Sequence, residues 1–534
     1  MNRFVSILRP PDSAFFQSEG MPSAGVKAND AFSAAGCAIR FIVKENFLQV
    51  IAEPSMTPVL RIKLRWRGDF SFLKYILQDA WCVALGDLSW NPVRPEAALP
   101  WYFMGFDGER THGYGVRTGC NSFCFWQLDP MGLSLWMDVR NGGDGVILKE
   151  PLLCAEICER EGNDSENSFA ACQQFSSMMC PEPNLPARPI FGLNNWYYAY
   201  GNISRESVLK DAALCCELAA GCKRQPYLLV DDGWEIGRTE EYYGGPFIPS
   251  EKMGDMAALA RSIVEIGAIP GIWVRPMLTA EPLPEVCFHP ENTGSKPGRF
   301  LDVTNADALE YIRRLIAGMV RDGYRLIKHD FTCPDFMGEG FLSHVLAKSG
   351  WHFADRSRTN AQIMKNLYRV IQDAAGDAYV LGCNTYNHLA AGIHQIQRSG
   401  ADTSGRVWEI TRKYGINTLA FRLHQNNRFF RCDADCPAFT EKVSTELNMR
   451  FLELACKSGA AIFTSITPGF LSKDYLARAR AAFTEADTPC GIEPLDWHYT
   501  SCPMHYKAGG KILSYDWYTP NDGVTMFHTF YAEE

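Results

Sequence analysis

The sequence predicts an α/β protein: a (β/α)8 barrel of the TIM type, flanked by an N-terminal β-sandwich-like domain and a small C-terminal β domain. Two changes of texture predict it. Residues 1 to about 180 hold short apolar alternations broken by Gly, Asn and Asp turns. After a proline-rich stretch, strand-like runs alternate with capped helices, and polar residues gather at the strands' carboxyl ends.

In the first part, "FCFWQL" and "LSLWMDV" alternate with period two, and "VRNGGDG" supplies turn chemistry. Few stretches there hold a helical period. The segment "CPEPNLPARP", residues 180–189, places four prolines in ten positions and reads as a linker. Domain limits of 1–185, 186–468 and 469–534 follow.

Beyond the linker, "YLLV" (227–230) runs into Asp231 and Asp232, and "AIPGIWV" (268–274) into Arg275. "YRLIKHD" (324–330) ends in Asp330, and "YVLGCN" (379–384) ends in Asn384. One helix starts at a Ser204 N-cap and stops by Gly221; another starts at Asn305, carries Leu309, Ile312, Ile316 and Met319, and stops at Gly323. No GxGxxG or GxxxxGK[ST] loop follows the first strand, which argues against an open dinucleotide- or nucleotide-binding sheet. The tail holds one helix, "DYLARARAAFTEA", and then strand-like "KILSYDWY" and "GVTMFHTFY".

Composition narrows the function. A net charge of −9 gives no electrostatic reason to expect nucleic acid or an anionic membrane as partner. No apolar run approaches the roughly 20 residues of a membrane span. The apolar run near the N-terminus is too short for a signal-peptide core. Nineteen cysteines, an odd count without paired spacing, suggest reduced thiols and a cytoplasmic location. "CDADC" (432–436) has no second Cys or His pair at zinc-ligand distance, so no metal is expected, nor any cofactor. Homo-oligomerisation is left open by the sequence.

Two aspartates carry the chemistry. Asp330 ends the fourth strand and Asp402 follows the sixth, so both can reach one cavity at the strand ends. A carboxylate pair flanking a sugar bond is what glycoside hydrolysis requires. Lys328 lies two residues before Asp330 and faces the same side of its strand.

Six motifs occur in an order that resembles the retaining α-galactosidases of glycoside hydrolase family 36, the melibiase-type enzymes related to family 27. They are "NNWYYAY", "LLVDDGWE", "GIWVRP", "IKHDF", "CNTYNHLAAGIHQIQRSGADTSG" and "RCDADC", spread over roughly residues 190 to 440. The resemblance implies a nucleophile at Asp330 and a general acid/base at Asp402. It places Asp231 and Asp232 on sugar hydroxyls, Lys328 and Arg398 beside the two catalytic carboxylates, and Trp196 and Trp273 as walls of the subsite. Cys383 and Asn384 open a loop expected to border the sugar's C2 substituent as far as Ala391. Three positions depart from the family pattern: that loop lacks its glycines, Arg275 stands where a glutamate is usual, and His329 replaces an aromatic residue.

The implied function is a retaining exo-α-glycosidase acting on oligosaccharides or glycoconjugates with a terminal α-linked, galacto-configured sugar. An α-N-acetylgalactosaminidase, a galactosyltransferase of the raffinose-synthase type and a non-catalytic sugar-binding relative are the alternatives.

Overall fold

The computed structural model describes residues 4–18, 20–289, 297–337 and 350–518. The expected strand "GVTMFHTFY" lies outside them.

Two antiparallel sheets, of six and nine strands, occupy the N-terminal part. The strand Arg61–Arg67 shows why they pack. Ile62, Leu64 and Trp66 are buried while the charged residues between them reach water, the period-two pattern of a sheet with one dry face. Trp126 of the smaller sheet meets Phe103 of the larger, ring centroids 6.4 Å apart, so aromatic rings fill the gap between them.

A helix, Ser168–Met179, interrupts the expected all-strand texture. Asn167 caps it by accepting from the Ala170 N–H, and Phe175 drives its buried face onto the strand Thr111–Val116. That strand is glycine-bearing for a reason. A Cβ on Gly113 would stand 2.4 Å from the Phe175 ring, far inside contact distance.

The parallel sheet follows. Its strands are β1 (Phe191–Asn194), β2 (Tyr227–Val230), β3 (Ile269–Val274), β4 (Leu326–His329), β5 (Tyr379–Gly382), β6 (Ile396–Arg398), β7 (Arg431–Asp433), β8 (Ala438–Phe439) and β9 (Ile462–Ile466). Their spatial order is β7-β6-β5-β4-β3-β2-β1-β9-β8, all parallel. A parallel bridge between Asp433 and Ala461 joins β7 to the residue before β9, so the sheet curls back on itself. Helices cover it, among them α1 (Arg205–Leu218), capped by Ser204, and α2 (Ala306–Arg321), capped by Asn305. After β9, the helix Lys473–Asp487 sets Phe483 against Phe191 of β1 at 5.7 Å, and a three-stranded antiparallel sheet ends the described chain. Of "KILSYDWY", Lys511–Ser514 is strand. No helix among the described residues is long and apolar enough to cross a membrane.

The N-terminal sheets and the parallel sheet share a polar seam. Arg422 donates from Nε to Asp79 at 2.8 Å and from Nη1 to the Ser399 carbonyl at 2.7 Å, and Gln425 donates to the other Asp79 oxygen at 3.0 Å. Asp79 is 3% exposed and Arg422 is 1% exposed, so neither charge has water to fall back on. Removing one partner strands the other in a dry interface, at a cost of about 3–5 kcal/mol. Asp79→Ala should lower the unfolding free energy in urea by that amount. A change no larger than that of a surface substitution would show that water enters the seam.

Candidate active site

The site forms where the carboxyl ends of the parallel strands open. Asp330 directly follows β4, and its own N–H donates to the Val274 carbonyl of β3 at 2.9 Å, so its backbone continues the ladder. Both carboxylate oxygens are held. Oδ1 accepts from the Phe331 N–H at 2.6 Å and from Asn384 Nδ2 at 2.6 Å. Oδ2 accepts from Trp273 Nε1 at 3.1 Å. Phe331 and Asn384 are both left-handed, with φ of 61° and 51°. Such backbone is uncommon outside glycine and collects at working sites.

Trp273 is 2% exposed, and what it gives the site here is that indole N–H; Trp196 is half-buried, with the Arg238 guanidinium over its ring at 5.8 Å. Lys328 does not pair with Asp330. Its ammonium donates to Asp231 Oδ2 at 2.7 Å, and Asn194 Nδ2 donates to the same oxygen at 2.6 Å. Burial is the largest single influence and disfavours the Lys328 ammonium, but Asp231 and the smaller contributions beside it together outweigh it and hold the group well above the ordinary lysine range. Asp330 is a lesser contributor to the same effect.

Asp402 lies beyond β6. Arg398, at the end of β6, donates to Asp402 at 2.9 Å and to Asp435 at 2.9 Å, and leans on the Cys383 sulfur at 3.8 Å. Water reaches the Asp402 side chain, which is 59% exposed, while Arg398 is 2% exposed. The surrounding protein still crowds the Asp402 carboxyl enough to push its pKa above the usual range, against the pull of Arg398; Asp435 and Asp330 add repulsion. Asp435 is fixed by the Thr403 N–H at 2.8 Å and by the Tyr197 hydroxyl.

The three departures from the family pattern now have positions. Arg275 forms a two-pronged pair with Asp335, at 2.9 and 2.7 Å, and its guanidinium lies over the Phe331 ring at 4.3 Å. His329 points away from the carboxylates, and its Nε2 meets His394 Nε2 at 3.0 Å in a pocket that burial keeps neutral, with the His329 pKa down to about 3. The loop after Cys383 sends only its beginning to Asp330. Asn387–Ala390 is a short buried helix, with His388 stacked on Trp101 at 5.1 Å and bonded to the Val116 carbonyl at 2.9 Å. Those residues face the N-terminal sheets, contrary to the expectation that the whole loop would border a sugar.

Sequence reasoning missed Asn194, Asp435, Arg238 and Glu235. Asn194, Asp435 and Glu235 lie within the six motifs, and for the first two a polar residue at or just past a parallel strand's carboxyl end was the available signal. Glu235 sits under Asp232, whose other oxygen accepts from Arg238 Nε at 3.0 Å. Asp232 Oδ1 and Glu235 Oε1 are both buried without a donor of their own. A proton on Glu235 supplies one between the two carboxyl groups. Burial first, and Asp232 second, push the Glu235 carboxyl up to about 9.

Comparison with known proteins bears on the fold. No protein-family model matches the sequence. An α-galactosidase from Thermus thermophilus, TtGalA, solved with p-nitrophenyl α-D-galactopyranoside, superposes with a TM-score of 0.62 at 16% identity, covering 90% of this chain and 97% of that one. TtGalA is also solved with stachyose. The family 36 α-galactosidase AgaA from Geobacillus stearothermophilus gives 0.58 at 14% identity, over 85% of this chain and 68% of that one. A variant of AgaA is solved in complex with raffinose. The galactosidase domain of the α-galactosidase-sucrose kinase AgaSK gives 0.57 at 12% identity, over 89% and 73%. The chain shares the fold of these α-galactosidases.

The Glu235 environment sets a pH dependence. Unfolded chain releases that proton near the ordinary value of about 4.3, whereas folded protein keeps it to about 9. Its contribution to stability is therefore complete below the unfolded value and is lost as pH rises through the window between the two. Glu235→Gln places an amide donor where the proton sat. Urea unfolding at pH 5 and pH 8 should show a smaller loss of stability for the variant than for the parent protein. An equal loss in both would mean that Glu235 is ionised in the folded protein.

Proposed function

We propose that this protein is a retaining exo-α-glycosidase, an α-galactosidase in the manner of family 36, that removes terminal α-galactosyl residues from oligosaccharides or glycoconjugates. One observation carries the reading. Two carboxylates at one rim sit in different settings: Asp330 is gripped by three donors, and Asp402 is water-accessible with its pKa pushed up. A fixed carboxylate suits attack at the anomeric carbon, and a raised carboxyl suits protonation of the departing oxygen.

In this mechanism Asp330 displaces the aglycone, whose oxygen takes the Asp402 proton. Asp402 then takes a proton from water, which attacks the anomeric carbon and releases Asp330. Asp231, Asp232 and Lys328 receive the hydroxyls of the sugar. Arg398 steadies Asp402, and Trp196 offers a flat face to the ring. The likeness in fold to proteins solved with stachyose, raffinose and an aryl α-galactoside supports the choice of sugar. In the division 1–185, 186–468 and 469–534, the middle part carries these residues and the first part packs against the loops after β5 and β6.

Asp330→Ala should abolish hydrolysis of aryl α-galactosides, and azide should restore turnover with an azide product of inverted configuration. Asp402→Ala should spare substrates with activated leaving groups far more than natural ones, because a good leaving group needs little protonation. NMR of the first-formed sugar should show the α-anomer. The β-anomer, or identical behaviour of the two variants on an aryl glycoside, would overturn the assignment.

Asp232→Asn tests the sugar itself. Charge-assisted bonds to the C4 and C6 hydroxyls are each worth roughly 1.5–3 kcal/mol. The variant should lose about ten- to a hundredfold in kcat/KM on a galactoside, and lose selectivity over the matched glucoside. Unchanged selectivity would remove Asp232 from the recognition of the axial hydroxyl.

A further inference from the structure

Asn384 is held as tightly as the carboxylate it touches. It stands two residues past β5 in left-handed backbone, φ 51°, which asparagine tolerates better than most side chains. Its carbonyl accepts the Cys333 N–H at 2.9 Å and the Thr332 hydroxyl at 3.3 Å, and the neighbouring Cys383 N–H reaches the His329 carbonyl at 2.9 Å. Those bonds fasten the loop after β5 to the backbone on both sides of Asp330. The side chain is the remaining link: Nδ2 donates to Asp330 Oδ1 at 2.6 Å, in a residue 7% exposed.

The two oxygens of Asp330 are therefore unequal. Oδ1 carries two short bonds, from Asn384 and from the Phe331 N–H, both 2.6 Å. Oδ2 carries one longer bond, 3.1 Å from Trp273. Donors consume lone pairs, so the less engaged oxygen is the better nucleophile. We infer that Oδ2 is the oxygen that attacks, and that Asn384 is a positioning residue whose amide holds Oδ1 and speeds release of the glycosyl-enzyme. This rests on the proposed α-glycosidase reading.

The electron accounting shows where the amide acts. In the first step an Oδ2 lone pair forms the bond to the anomeric carbon. The bond from that carbon to the aglycone oxygen breaks, and the oxygen takes its electron pair and the Asp402 proton. In the second step water gives a proton to Asp402 and bonds to the anomeric carbon, and the pair of the carbon–Oδ2 bond returns to Asp330. Charge reappears on the carboxylate during that return, half of it on Oδ1. A donor already aimed at Oδ1 stabilises the leaving carboxylate in the second transition state, without waiting for solvent to reorganise. In the first step the same donor acts mainly by orienting the nucleophile.

Two variants separate this from a structural or a binding role. Asn384→Gly accepts the left-handed backbone and deletes the amide. Asn384→Asp keeps the shape and replaces the donor by an acceptor. With p-nitrophenyl α-galactoside, both should lower kcat by about ten- to a hundredfold, the scale of a hydrogen bond to a charged group. KM should fall as well, because the glycosyl-enzyme accumulates. Rapid mixing should show a burst of nitrophenol approaching one equivalent of enzyme, followed by slow turnover. A raised KM with kcat within twofold of the parent would instead make Asn384 a sugar-binding residue and overturn the inference. The same holds if kcat falls with no burst and no fall in KM. Failure of the wider reading looks different: the parent protein would hydrolyse no α-glycoside, or Asp330→Ala would retain activity.

Discussion

A parallel ladder fixes everything at the rim. Because neighbouring strands run in the same direction, all their carboxyl ends open on one side. Asn194, Asp231, Arg275, Asp330, Asn384 and Arg398 stand at or just past the ends of six successive strands. Register then decides which side chains face inward. Trp273 pairs with Lys328 and Lys328 with Leu381, while Val274 pairs with His329 and His329 with Gly382. Alternation sends Lys328 to Asp231 and His329 to His394, on opposite sides of the same strand. A slip of one residue would exchange an ammonium for an imidazole at the centre of the site.

Several charges buried at the rim persist because a counter-charge answers each. Lys328 answers Asp231, Arg398 answers both Asp402 and Asp435, and Arg275 answers Asp335. Pairs of this kind add little net stability over apolar substitutes, since desolvation offsets most of the attraction. What they give is direction. Arg275 has its prongs on Asp335 and its face on the Phe331 ring. It thereby braces the residue whose N–H holds Asp330.

The strands were legible because apolar runs that end in a charged residue, set between capped helices, are too short to be helices themselves. "YLLV" and "RLIKH" begin and end within two residues of that reading, and Ser204 and Asn305 cap the helices they announce. Long-range partnership was not legible. Alternation places Lys328 on the Asp330 face, yet no spacing says that the ammonium prefers an aspartate nearly a hundred residues earlier. The helix Ser168–Met179 was missed for a local reason: most of its residues are Ser, Ala, Cys or Gln, and its apolar face is set by the sheet beneath it. The loop after Cys383 misled for the opposite reason. The resemblance set it beside a sugar, but His388 is spent on the seam with the N-terminal sheets and Asn387 is buried next to it, which local sequence cannot reveal.

That seam reaches the loop that carries Asp402. Ala84, from the N-terminal part, forms a parallel bridge with Gly400, taking the Ala401 N–H on its carbonyl at 2.9 Å and giving its own N–H to Ser399 at 3.0 Å. Asp402 is the next residue but one. The strand-end loop that carries it is thus completed by backbone from the other end of the chain. In terms of inheritance, the parallel sheet is not a cassette. Recombination that kept residues 186–468 and replaced the first part would carry over every side chain named at the rim, yet leave the Asp402 loop without its second edge. An insertion or exchange in the N-terminal sheets that moved the backbone around Ala84 out of register would remove that edge.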